Sequence, residues 1–375
     1  MRVMVSATEL SGDAIGAAVL TALAEKYPLQ LEGLGGPHLE ALGLSSRTPL
    51  SRLAVMGLWE VLPRLPELLW IRHRLAHRLR TWRPDLLVTC DAPDFNLPLA
   101  RIARRHGIPV VHIASPSVWA WRQDRIPLIA DSLDALLCLF PFEPELYAST
   151  KLSTTFIGHP LAAQITFDPE MQSAREALNI PREGRVLACL PGSRSTEVRS
   201  LWPIFFEGLR ALKSVIPDLH VVIPIASPNL AALINPDASG DWVQCVDGRA
   251  QTVLAAANAA LVASGTASLE AILTGRPTVV AYQMNPRTYR RVMAQLLTPW
   301  VSLPNQLAGR FWIPELIQDE LTATSIVTHL APRLQEAPDE VFLETARSIH
   351  GRLASVPIEI AVAAIEETLG RAHRH

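Results

Sequence analysis

The chain has little of what marks a secreted, membrane-spanning or nucleic-acid-binding protein. Its 375 residues hold four cysteines, Cys90, Cys138, Cys189 and Cys245, scattered through apolar runs such as VTCD and ACLP. No pair has metal-ligand spacing, so they read as reduced, buried thiols of a cytosolic protein. No apolar stretch reaches the ~18 uninterrupted residues of a membrane-spanning helix. The opening MRVMVSA runs from a short strand directly into a polar turn, which no signal peptide fits. An excess of positive charge is also lacking. With 34 basic and 36 acidic residues the net charge is −2, whereas a dedicated nucleic-acid binder is usually distinctly basic. Nucleic acid is therefore not an expected partner. There is no repeat of roughly 20–50 residues and no low-complexity segment.

What is present is apolar and regularly patterned. Apolar residues make up 49% and charged residues 19%, which rules out disorder by composition. The length favours two domains of roughly 150–200 residues. In the first half, Val3–Ala7, Leu86–Cys90, Val110–Ala114 and Ala135–Phe140 read as buried strands. Helical stretches near Ala14–Lys26, Leu97–Arg105 and Arg122–Ser132 separate them. The second half repeats this grammar at Val186–Leu190, His220–Ile225, Trp242–Val246, Ala260–Ala263 and Thr278–Tyr282, with helices near Glu197–Val215 and Thr252–Ala259. Continuous Val, Ile and Leu runs alternating with helices mean parallel sheets covered on both faces. The fold class is α/β, with two doubly wound units and the active site expected in the cleft at their strand carboxyl ends. The joint is expected within Pro160–Pro181, and strands stop after about Ala331.

Three constellations in the second half carry chemistry. Leu190-Pro191-Gly192-Ser193-Arg194 closes a strand and leads into a helix, so free N–H groups and a positive dipole end meet where a phosphate can sit. Arg194 adds a charged contact; a plain serine cap by Ser193 or Ser195 explains the turn equally well. The same pattern recurs at Ser264-Gly265-Thr266, with Glu270 one turn inside the helix, where an acid can accept from both ribose hydroxyls or serve as a capping carboxylate. Asn305 and Gln318 are polar residues in otherwise apolar loops after the last strand, placed either to line the cleft or to form turns. No Walker A sequence is present, and Gly33, Gly35 and Gly36 lack dinucleotide spacing, so no nucleotide cofactor is expected.

In the first half, Asp91-Ala92-Pro93-Asp94-Phe95-Asn96 follows a buried strand. A carboxylate there suits a general base, and one of Asp91, Asp94 and Asn96 is expected to cap the next helix. Thr8 to Asp13 follows the first strand, with Glu9 and Ser11 facing the same end and Asp13 a candidate N-cap. HIASPSVWAWR at 112–122 sets Ser115 and Trp119 where they line an acceptor pocket or pack in the core. Gly57–Arg83 differs from all else. It mixes Trp59, Leu62, Leu65 and Leu69 with Arg72 and five further arginines, as an anionic membrane interface or a solvated basic helix face both require. Pro63 and Pro66 point to a loop or short helix at its start, before a longer helix.

Taken together these blocks resemble the lipid-A-disaccharide synthase family. The resemblance covers nearly the whole chain: the SGD turn ending at Asp13, GLGGP, AVMGLWEVL, DAPDFN, SPSVWAWR, PFE, IGHPL, LPGSR, SGTASLE, SLPN and PELIQ. It implies a GT-B fold with boundaries at 1–163 for an acceptor- and membrane-facing domain and 164–345 for a UDP-sugar domain. The helices of 346–375 then pack on the first domain or on a partner subunit. It implies an inverting transfer from UDP-2,3-diacylglucosamine to 2,3-diacylglucosamine 1-phosphate (lipid X), without metal or cofactor. By the same resemblance Asp91 is the base, Arg194 and Asn305 are needed for activity, and Gly192, Ser193, Gly265, Thr266, Glu270 and Gln318 hold UDP. Glu9, Ser11, Ser115 and Trp119 face the acceptor, and Gly57–Arg83 touches the cytoplasmic face of the inner membrane; a homodimer is an expectation by analogy. Family members usually carry Gly where this chain has Thr8, so a positive φ there would fit poorly. A UDP-sugar epimerase on the same fold and a silent lipid- or nucleotide-binding paralogue remain the alternatives.

Overall fold

The computed structural model describes residues 1–46, 48, 58–234 and 240–372, and at 58–63 and 228 the backbone alone. The chain divides into two compact units, Met1–Pro160 with Ser355–His375, and Leu161–Ala354.

Unit 1 is built on strands β1 (Arg2–Ala7), β2 (Gln30–Leu34), β3 (Ser45–Ser46), β4 (Leu86–Cys90), β5 (Val110–Ile113), β6 (Ala135–Cys138) and β7 (Ser153–Phe156). They form one sheet in the order β3-β2-β1-β4-β5-β6-β7, and every pairing is parallel. The central strands β4, β5 and β6 are buried from end to end, because helices cover both faces; this is why they read as mainly apolar runs. The order reverses at β1. A doubly wound sheet opens a crevice at such a reversal, outside the strand carboxyl ends. Ala7 pairs with Cys90, so the chain leaves β1 and β4 side by side at that point.

Helices α1 (Leu10–Lys26), α2 (Pro37–Ala41), α3 (Leu58–Trp82), α4 (Pro93–Arg105) and α5 (Ile126–Ala130) complete the first part of the unit. The expected break at the start of α3 does not occur: the helix runs through Pro63 and Pro66. Each proline removes one backbone hydrogen bond. The helix tolerates this because Ile71, Leu75 and Leu79, spaced four apart, anchor its later turns in the core.

Unit 2 repeats the plan. Strands β8 (Arg185–Leu190), β9 (Leu219–Ile225), β10 (Val243–Asp247), β11 (Ala259–Ala263), β12 (Thr278–Tyr282) and β13 (Glu315–Ile317) run in the order β10-β9-β8-β11-β12-β13. The helices are α6 (Pro160–Gln164), whose first residue belongs to unit 1, α7 (Met171–Leu178), α8 (Ser195–Val215), α9 (Pro228–Ile234), α10 (Ala250–Ala256), α11 (Thr266–Leu273), α12 (Pro286–Met293), α13 (Leu303–Ala308), α14 (Ala323–Gln335) and α15 (Glu340–Ala354). The reversal falls between β8 and β11, and Leu190 pairs with Val262. The last helix, α16 (Glu359–Ala372), belongs to unit 1. Its Glu366 accepts from Tyr27 Oη at 2.8 Å and from Lys26 Nζ at 3.3 Å, both at the end of α1.

β13 lies where the sequence reads as loop. Three residues, Glu315–Ile317, add an edge to the sheet through Val280↔Glu315 and Tyr282↔Ile317.

Candidate functional site

In unit 1 the turn after β4 is strained and tightly braced. Asp91 and Ala92 have φ of 54° and 37°, left-handed conformations that cost a residue with a Cβ on the order of 1 kcal/mol each. Asn96 holds them there. Its Nδ2 donates to the carbonyls of Asp91 (2.8 Å), Cys90 (3.0 Å) and Ser6 (3.3 Å), while its Oδ1 accepts from Ser6 Oγ at 2.7 Å. The expected cap of α4 is not made: the N-cap is Ala92, with no side-chain bond. Asp94 instead meets Arg125 at 2.6 Å on the surface. Asn96 is turned inward, where its amide engages the carbonyl of Asp91 in the turn and those of Cys90 and Ser6 in β4 and β1.

The braced turn presents the Asp91 carboxyl to α1. Ser11 Oγ donates to its Oδ2 at 3.4 Å. A Cβ on Gly12 would stand 2.6 Å from the same oxygen, so only glycine admits this approach. Burial pushes the Asp91 carboxyl up to about 6, and the Glu9 carboxylate adds to the rise, while the Ser11 bond partly offsets it. The structure thus groups Glu9, Ser11 and Asp91 at the reversal of the sheet. Asp13 caps a different helix from the one expected: Oδ1 accepts from Gly36 N at 2.6 Å and Oδ2 from His38 N at 2.9 Å, at the start of α2. The SGD turn and the GLGGP block are therefore one structural unit. Thr8 is buried and is not among the described residues with positive φ, so the missing glycine strains nothing there.

At the end of β5, Ser115 Oγ lies 3.0 Å from Tyr147 Oη. Trp119 packs edge-on against Phe142 at 5.8 Å, with Phe140 stacked behind at 5.7 Å. His112 is a core residue: burial lowers it to about 4, and its Nδ1 lies 2.7 Å from Thr89 Oγ1. Sequence reasoning missed Glu143 of the PFE block. This buried carboxyl accepts from Leu139 N (2.9 Å) and Phe140 N (3.1 Å), and burial pushes it up to about 8. It fixes the turn that carries the aromatic stack.

In unit 2 the two glycine turns adjoin at the reversal between β8 and β11. Gly192 has φ 117°, and Ser193 and Arg194 are exposed beyond it. Neither Ser193 nor Ser195 caps α8; the N-cap is Arg194, without a side-chain bond. Glu197 does the capping. Its carboxylate accepts from the backbone N–H groups of Ser193 and Arg194, and burial holds it above the usual carboxylate range despite Arg194. A Cβ on Gly192 would stand 2.1 Å from Glu197 Oε2. The sequence signal existed, since Glu197 is the third residue of its helix, where an acid reaches back to the N-cap N–H.

Gly265, with φ 150°, precedes α11, and Gly265 and Thr266 are exposed. Glu270 sits half-buried one turn in, its carboxyl pushed up by burial alone.

Asn305 and Gln318 are not loop residues facing outward. Asn305 lies fully buried on α13. Its Oδ1 accepts from Trp312 N and Ile313 N, both at 2.8 Å, and its Nδ2 donates to Ile313 O at 2.9 Å and Glu315 Oε1 at 2.7 Å. Gln318, with φ 54°, accepts from Met284 N at 2.6 Å and donates to Met284 O at 3.0 Å. Glu315, which the sequence did not single out, ties the segment together by also accepting from Val301 N, Ser302 N and Ser302 Oγ at 2.6–3.0 Å.

On α3, Leu65, Leu69 and Trp70 are exposed, and the Arg74 guanidinium lies 4.7 Å over the Trp70 ring. Arg72 is half-buried. The side chains of Trp59 and Leu62 lie outside the described residues. No helix among the described residues is long and apolar enough to cross a membrane.

The profile of the lipid-A-disaccharide synthetase family matches residues 3–349 of this chain. The chain belongs to that family. A curated lipid-A-disaccharide synthase of Azotobacter vinelandii is 43% identical over 373 residues, covering 96% of this chain and 98% of its own. Among solved structures, the UDP-GlcNAc 2-epimerase of Neisseria meningitidis bound to UDP-GlcNAc aligns with a TM-score of 0.65 at 15% identity, over 99% of this chain and 100% of its own. Acinetobacter baumannii MurG aligns at 0.57 and 13%, over 98% and 99%. At such identities these likenesses speak for the fold alone. They extend over both units, and the fold is GT-B.

Proposed function

We propose that the chain is an inverting glycosyltransferase of lipid A biosynthesis. It joins UDP-2,3-diacylglucosamine to 2,3-diacylglucosamine 1-phosphate (lipid X), giving the β-1,6 disaccharide 1-phosphate and UDP. Asp91 is the observation that carries the reading of the mechanism: a braced, partly desolvated carboxyl at the reversal of the first sheet, in a chain of this family. A carboxylate that titrates near 6 is ionised at neutral pH yet basic enough to assist a hydroxyl. Asp91 takes the proton of the acceptor's 6-hydroxyl as its oxygen attacks the anomeric carbon from the face opposite UDP. The bond to UDP breaks as the new one forms. Charge developing on the diphosphate is met by Arg194 and by the positive end of α11, with no metal required; at α8 the N–H groups of Ser193 and Arg194 are already engaged by Glu197. Glu270 accepts from the ribose hydroxyls. Glu9 keeps Asp91 basic, and Ser115 and Trp119 line the acceptor side.

Asn305 and Gln318 act at one remove. Their side-chain amides are engaged with backbone and Glu315, so they position the loops after β12 instead of touching substrate.

Two acylated substrates place the reaction at the cytoplasmic face of the inner membrane, with α3 as the contact in unit 1. Its exposed Leu65, Leu69 and Trp70 beside Arg72 and Arg74 suit an anionic interface. One assay tests the function: incubation with UDP-diacylglucosamine, with and without lipid X. Disaccharide and UDP only when lipid X is present support the transferase. Conversion of the donor sugar without lipid X would make the chain an epimerase, and no turnover at all would make it a silent paralogue.

A further inference from the structure

The helix α12 (Pro286–Met293) of unit 2 buries none of its side chains. Its residues sort into two rows. Arg287, Arg290 and Arg291 stand at i, i+3 and i+4, the spacing that sets side chains along one side of a helix. Tyr289, Val292 and Met293 repeat that spacing on the other side. Met293 is 41% exposed at the end of the helix, and Leu297, in the following turn, is 55% exposed. The charge of the region has one sign. From Ala271 to Pro314 the sequence contains no Asp or Glu, while Arg276, Arg287, Arg290, Arg291 and Arg310 fall within it. Arg276 is buried against Asp168; the other four are exposed.

We propose that α12 and the turn after it are a docking surface for an anionic lipid bilayer. The arginines meet headgroup phosphates, and Met293 and Leu297 enter the apolar boundary beneath them. Charge complementarity selects this occupant: a cationic row with apolar side chains at its end is what an interfacial helix presents. The surface lies in a different unit from α3 and uses none of its residues. It stands on exposure and charge, independently of the reaction proposed above.

The test uses the full chain with vesicles of equal parts phosphatidylglycerol and phosphatidylcholine, and with phosphatidylcholine alone. Wild type is expected to sediment with the anionic vesicles, less so as salt rises. The triple change Arg287→Glu, Arg290→Glu and Arg291→Glu is expected to weaken that partition roughly a hundredfold. Met293→Ser with Leu297→Ser is expected to weaken it several-fold. An unchanged melting curve verifies folding, because these side chains are exposed. A folded triple variant that sediments like wild type overturns the proposal. So does a variant that binds vesicles normally but loses turnover on detergent-dispersed substrates, which would assign α12 to the donor's acyl chains. The disaccharide assay of wild type in detergent reads the proposed function separately, so either reading can fail without the other.

Discussion

Asn305 Nδ2 donates to Glu315 Oε1 at 2.7 Å, and through this bond α13 and β13 hold each other. The same Glu315 oxygen accepts from Ser302 Oγ at 2.6 Å, and Ser302 is the N-cap of α13. The segment after β12 is thus organised by one amide and one carboxylate that face each other inside unit 2.

Asn305→Ala should therefore act through the fold. It leaves the N–H groups of Trp312 and Ile313 without their acceptor, at about 1–3 kcal/mol each. The melting temperature should fall by on the order of 10 °C, and Glu315→Ala should do the same. If Asn305→Ala keeps its melting temperature while activity disappears, the residue touches substrate after all.

Glu197→Gln tests the turn that receives the diphosphate. The carboxylate already accepts the N–H groups of Ser193 and Arg194, and its negative charge opposes an incoming diphosphate. The amide keeps an acceptor oxygen and removes the charge. UDP affinity, read by calorimetry, should rise several-fold above neutral pH. Burial raises the carboxyl, so the gain should shrink as pH falls and the wild-type group takes up a proton. Weaker UDP binding by the variant at every pH would show that the carboxylate organises the site instead of opposing the ligand.

Glu270→Gln should weaken UDP binding more than acceptor binding, because hydroxyls donate better hydrogen bonds to a carboxylate than to an amide oxygen. Equal UDP affinity in the two proteins would remove Glu270 from the ribose site.

The sequence exposed the central strands plainly, since β4, β5, β8, β11 and β12 are apolar over most of their length. It concealed three of the four sheet edges, β10 at Val243–Asp247 being the edge that was legible. β3 has two residues, β13 three, and β7 reads STTF; short polar edge strands carry too little apolar pattern to be recognised. The residues at the strand ends were legible as polar groups in the right places, but not their partners. Asp13 looked like a cap and is one, for α2 across the turn from its own helix. Asn96 looked like a cap and instead braces a left-handed turn. Asn305 and Gln318 read as residues that line the cleft or form turns, and are engaged with backbone and, for Asn305, with Glu315. In each case the partner lies far along the chain or on main-chain atoms, which spacing does not encode.

The raised carboxyl of Asp91 also has a sign for stability. A group that titrates at about 6 when folded and near 3.8 when unfolded favours the folded state fully below 3.8 and loses that contribution as pH rises through 6. Keeping it ionised costs the folded state roughly 3 kcal/mol at most. Asp91→Asn should then melt no lower than wild type at pH 8, and its advantage should vanish at pH 4. A variant less stable than wild type at pH 8 would mean that the carboxylate itself holds the turn together.

The most direct test of the account is the rate of disaccharide formation by Asp91→Asn, followed from pH 5 to 9 beside wild type and with UDP affinity measured on both. Wild-type kcat/KM should fall as pH drops through about 6. The variant should lose roughly a hundredfold or more in kcat, show no such fall with pH, and bind UDP as wild type does. Turnover near the wild-type level, or the same pH profile in the variant, would contradict the assignment of Asp91 as the base.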